Sequence, residues 1–98
     1  MSYLVEILLP VTGDDGRTVL ERVRNELTEA FGGVTMHLNA PAEGLWENDG
    51  DVDRDRIVVV DIMTDELDRQ WWKAYRRELE IRIGQEEIVV CATEICRL

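Results

Sequence analysis

The chain has a single histidine, His37, and 21 acidic residues against 11 basic ones. An imidazole beside a carboxylate is the pairing these residue types offer for chemistry, because such a dyad can take up a proton and hold it. Glu6 and Asp61 are the carboxylates to consider. Each interrupts an apolar segment, Tyr3-Leu4-Val5-Glu6-Ile7-Leu8-Leu9 and Ile57-Val58-Val59-Val60-Asp61-Ile62-Met63, and His37 follows Val34-Thr35-Met36. On neighbouring strands all three would share one side of a sheet. Two carboxylates and an imidazole could serve proton transfer or hold a metal ion. Polar residues in a subunit interface are the competing reading, since structural ion pairs use the same groups.

Other patterns point to chemistry less well. Asp49, Asp51, Asp53 and Asp55 alternate, but a calcium loop starting at Asp49 would need Gly and Glu where Arg54 and Val60 stand. A solvated acidic hairpin loop is the expectation. Cys91 and Cys96 fall in one strand-like run, roughly 16 Å apart along it and on opposite sides. That separation forbids a bridge within the chain and does not aim both sulfurs at one zinc ion. Reduced thiols are expected, as are the absence of a resident metal and of any cofactor. No nucleophile elbow, phosphate loop or dinucleotide fingerprint occurs.

Periodicity supplies the elements that must position these groups. The first strand alternates Tyr3, Val5, Ile7 and Leu9 against Leu4, Glu6 and Leu8, and Pro10 with Thr12-Gly13-Asp14-Asp15-Gly16 ends it. Leu20, Val23, Leu27 and Phe31 form one stripe of a helix over 16–31, stopped by Gly32-Gly33. A second strand places Thr35 and His37 opposite Met36. Residues 40–56 read as a long connection broken by Pro41, Gly44 and Gly50. A third strand over 56–63 sets Val58, Val60 and Ile62 against Ile57, Val59, Asp61 and Met63. Thr64 is the expected N-cap of a second helix, with Leu67, Trp71, Ala74, Tyr75 and Leu79 buried. Trp72 is expected at the margin of that stripe. Arg69, Lys73, Arg76 and Arg77, interleaved with Asp68, Glu78 and Glu80, read as a solvated helix face. Gly84 ends the helix, and a last strand occupies 87–96.

The order βαββαβ predicts a single α+β domain, a ferredoxin-like plait with a four-stranded antiparallel sheet and both helices on one face. If Val5, Ile7, Met36, Val58 and Val60 meet the helices, then Leu4, Glu6, Leu8, Thr35, His37, Ile57, Val59, Asp61 and Met63 lie on the other face. Ile88, Val90, Ala92 and Glu94 are expected to join them, which keeps Glu94 out of the core. A face this apolar needs a cover. Either a second copy supplies it, giving a homodimer, or the 40–56 segment folds back with Leu45 and Trp46 as a lid.

Net charge narrows the partners. At −10 the chain lacks the basic face that phosphates require, so no nucleic acid is expected. Nor is a membrane, because no apolar run approaches the ~20 residues a spanning helix needs. Met1 leads at once into a strand-like segment without a basic leader, and with the free thiols this suggests a cytoplasmic protein.

The strings Phe31-Gly32-Gly33-Val34-Thr35, Pro41-Ala42-Glu43-Gly44-Leu45-Trp46, Trp71-Trp72 and Gln85-Glu86-Glu87-Ile88-Val89-Val90 resemble a group of short uncharacterised bacterial hypothetical proteins. At fold level the pattern is similar to dimeric α+β barrel proteins. That likeness implies either cofactor-free enzymes, monooxygenases and isomerases among them, or simple binding modules; fold alone does not choose. The residues favour a small homodimeric binding domain that uses the helix-free face, with Leu8, Val59, Trp46 and Trp72 as candidate ligand contacts. The alternative is a cofactor-free enzyme for a small organic substrate, with His37, Glu6 and Asp61 as candidate catalytic groups. A metal-stabilised protein is the third reading.

Overall fold

A computed structural model describes residues 1–11, 15–38, 42–48 and 51–98, with the backbone course alone at 15, 42–48 and 51–55. The elements are β1 (Ser2–Val11), α1 (Asp15–Phe31), β2 (Thr35–Met36), β3 (Ala42–Asn48), β4 (Asp51–Thr64), α2 (Arg69–Ile83) and β5 (Val89–Ile95). Four strands lie in the order β2-β4-β1-β5, each neighbouring pair antiparallel. This is the ferredoxin-like plait that the element order predicts, with β1 and β4 central.

The register of β1 on β4 sets which side chains meet the helices. Val5 lies opposite Ile62, Ile7 opposite Val60 and Leu9 opposite Val58, and all six are buried together with Val23 and Leu27 of α1 and Trp72, Tyr75 and Leu79 of α2. Both helices therefore cover one face. The stripe on α1 is the expected one, and Gly32 closes that helix at φ 84°, its N–H donating to the Thr28 carbonyl.

Three expectations need correction. Residues 42–48 and 51–55 are not loop: β3 pairs antiparallel with β4 from Ala42 opposite Ile57 to Asn48 opposite Asp51. β4 thus runs past the end of β1, where Val11 meets Arg56, and β3 is hydrogen-bonded beside it as a hairpin arm of the sheet. The signal was in the sequence. Asp49-Gly50 is a strong two-residue hairpin signature, and each arm satisfies backbone groups of the other that a loop would leave to water.

The second correction concerns α2. Thr64 is the last residue of β4 and donates its hydroxyl to the Glu66 carbonyl (2.9 Å). Asp68 is the N-cap, its carboxylate accepting from Trp71 N–H (3.1 Å). The buried stripe is therefore Trp72, Tyr75 and Leu79, while Trp71 is half-buried and Ala74 exposed. Phe31 packs against both indoles, stacked on Trp72 and edge-on to Trp71, each at 5.0 Å. Two adjacent tryptophans can be covered together because the end of α1 reaches across α2.

The third concerns β5. Ile7 lies opposite Val90 and Val5 opposite Ala92, so Ile88, Val90 and Ala92 face the helices, not the open side. Ile88 is 1% exposed, and the Glu80 carboxylate of α2 accepts its N–H (3.0 Å). Alternation then carries Glu94 to the same side, but it remains exposed, so nothing charged is buried there.

A polar clamp joins the helices outside the core. Glu26 of α1 accepts from Arg82 of α2 in a forked pair (2.7 and 3.0 Å) and from the Tyr75 hydroxyl (3.0 Å). The Arg82 hydrogen bond holds the Glu26 carboxyl below its usual range against the opposing effect of burial. Burial, then the Glu26 charge, pushes the Tyr75 phenol up. Because the folded value of Glu26 is depressed, its contribution is complete above the ordinary glutamate value of 4.5 and is lost as pH falls through the lower folded value. Glu26→Gln should cost about 1 kcal/mol at neutral pH, discounted because the carboxylate is partly exposed. Thermal melts should show a midpoint lower by about 4–8 °C. The gap to the parent chain should close in acid, and a gap that persisted or widened there would contradict this account.

Candidate functional site

The open face follows from the same registers. Directly opposed residues share a face, so one row across the sheet reads Thr35, Asp61, Glu6 and Cys91. The adjacent row reads His37, Val59, Leu8 and Val89, with the His37 N–H donating to the Val59 carbonyl (3.0 Å). Met63, Leu4 and Thr93 form the row on the other side of the polar one. A line of polar groups is thus framed by aliphatic side chains.

Within it the structure brings His37 to Asp61. Nε2 lies 2.8 Å from Oδ2 along the diagonal between two rows. The His37 side chain is 49% exposed and that of Asp61 20%. The other carboxylate oxygen, Asp61 Oδ1, is buried without a hydrogen-bond partner among the described residues. Glu6 stands directly across from Asp61, an arrangement of like charges that a sheet disfavours. All three candidate catalytic residues lie on one face, as strand parity requires.

The ligand-contact candidates divide. Leu8 and Val59 are opposed on the open face, each half-buried. Trp72 is on the helix side, 5% exposed, and cannot share a ligand with them. Trp46 belongs to β3 and is opposite Asp53, but its side chain lies outside the described residues. The acidic run 49–55 does as well. Cys91, directly across from Glu6, is a face residue that alternation alone left ambiguous, because both parities of the last strand are apolar. Both cysteines are free and exposed.

The pair can orient an imidazole and move a proton between its nitrogen and a partner. The clefts between α2 and β5, beside the start of α1 and at the end of β4 are lined by other residues, so none of them encloses it. Among the described residues, no three His, Cys, Asp or Glu side chains converge to hold a metal ion. No helix there is long and apolar enough to cross a membrane.

No protein-family model matches the sequence, and no curated protein matches it either. Solved structures do match in fold. The divalent cation tolerance protein Cut A1 of Thermus thermophilus aligns over 99% of this chain and 86% of its own, at 14% identity and a TM-score of 0.64. CutA1 of Ehrlichia chaffeensis, a divalent ion tolerance protein, aligns over 99% and 83%, at 7% identity and 0.65. The periplasmic divalent cation tolerance protein CutA of Archaeoglobus fulgidus aligns over 99% and 86%, at 14% identity and 0.59. At these identities the likeness establishes the α+β fold.

A double-mutant cycle measures what the His37–Asp61 contact contributes in the single chain. With His37 half exposed, His37→Ala and Asp61→Ala should couple by about 0.2–1 kcal/mol in denaturant unfolding. A coupling of zero would mean that the two groups do not pair in solution.

Proposed function

We propose that this chain is a small binding domain that self-associates through the helix-free face of its sheet, a face-to-face homodimer being the simplest closed form. The carrying observation is the makeup of that face: Leu4, Leu8, Val59, Val89 and Met63 surround a polar row containing a buried, unpartnered carboxylate oxygen. Val89 and Met63 are 39% and 56% exposed in the single chain. Aliphatic side chains left in water favour association. A second copy, or a small molecule held between copies, covers these side chains.

The fold neighbours support binding over catalysis in a limited way, because their names state tolerance of divalent cations and specify no reaction. The enzyme reading retains one specific support, the 2.8 Å contact between His37 and Asp61. It requires that assembly enclose His37 in a pocket with room for a substrate.

Sedimentation at micromolar concentration tests the proposal. The parent chain should run at a multiple of 11.3 kDa, and Leu8→Glu should run as a folded monomer with an unchanged circular dichroism spectrum. A parent chain that stays at the monomer mass sinks the proposal. Melts with and without divalent cations, against chelator-treated controls, separate a metal-completed face from an apolar one: a rise in midpoint that His37→Gln abolishes assigns the cation to this face.

A further inference from the structure

The helix side of the sheet carries a second feature, which self-association through the opposite face leaves free. A cleft of about 170 Å³ opens between α2 and the strands β1 and β5, floored by Val5, Val90 and Ala92. Arg69, Lys73 and Arg76 line it from the helix. Their spacing of four and three residues puts them on one helix face.

In a chain with acids outnumbering bases by 21 to 11, this cleft has three cations and no carboxylate in its lining. Among the described residues no ion pair holds Arg69 or Lys73, and Arg76 reaches Glu80 only at 4.0 Å. The charges are therefore available to a ligand. Trp72 forms part of the wall at 5% exposure. The apolar floor and the cationic rim are two separate features, and one class of molecule satisfies them together.

We infer that this cleft binds a small organic anion, its ring-sized apolar body against Val5, Val90 and Ala92 and its acid group held by Arg69, Lys73 and Arg76. The size fits, since a cavity of about 150 Å³ accepts benzene in another protein. The acid is a carboxylate or a phosphate, and guanidinium groups bind either through paired hydrogen bonds. The chain's overall negative charge does not forbid this. Charges more than about 8 Å away are largely screened at physiological salt, so the three adjacent cations dominate within the cleft.

Titrations followed by amide and indole N–H resonances test the inference, using benzoate, phenyl phosphate and the neutral isostere benzamide as probes. At least one acid should shift the Trp72 indole N–H and the amides of 69–76 and 90–92 saturably, and the better of the two identifies the acid group. Benzamide should bind at least about tenfold more weakly, and so should the acid to the Arg69→Gln/Lys73→Gln double variant, the expected loss when charged partners are removed. Both replaced residues are exposed, so the double variant should melt as the parent does. The inference is overturned if neither acid moves the Trp72 resonance by about 10 mM, a limit weaker than any useful affinity. It is equally overturned if benzamide or the double variant binds as tightly as the charged pair.

Discussion

Nine consecutive residue pairs, from Tyr3 opposite Thr64 to Val11 opposite Arg56, hold β1 against β4. Slipping this ladder by one residue would turn Val58, Val60 and Ile62 to the open side and place Asp61 beneath the helices. The cost of a buried, unpaired carboxylate against six well-packed aliphatics makes that alternative untenable. Everything else attaches to this ladder. β2 borrows its register from Asp61 and Val60, β5 from Val5 and Ile7, and the hairpin arm of β3 from the continuation of β4.

The two faces of the sheet are different chemical environments as a result. Under the helices the packing is closed, and polar atoms are mostly satisfied at its border, where Glu80 holds Ile88 and Glu26 ties Arg82 to Tyr75. On the open side, a polar row crosses the sheet between aliphatic rows, and its aspartate meets the histidine of the next row without closing around a cavity. The buried oxygen of Asp61 and the buried nitrogen of Trp72 are the unpartnered side-chain atoms found among the described residues. They lie on opposite sides of the sheet.

The placement of the tryptophans links these surfaces to the helix start. Capping by Asp68 in place of Thr64 starts the helix four residues later in the chain, and Trp72, Tyr75 and Leu79 form its buried face. Trp72 then enters the core beside Phe31, and Arg69, Lys73 and Arg76 come to rim the cleft against β5. The same cations read from sequence alone as a solvated face. They are exposed, as that reading expects, but the strand they border gives them an apolar floor.

Alternation and spacing in the sequence determined the fold class, the order of elements, the buried stripe of α1, and the shared face of Glu6, His37 and Asp61. Those features depend on residue periods of two and 3.6, which are local. The parity of β5, the start of α2 and the extension of β4 into a hairpin were decided in three dimensions. β5 is apolar on both parities, and its pairing with β1, which sets Val90 opposite Ile7, selects one. Thr64 and Asp68 are both competent caps, and strand pairing with Tyr3 claims the first. The close approach of His37 to Asp61 spans 24 residues of chain, a contact that register between strands creates and no local pattern contains.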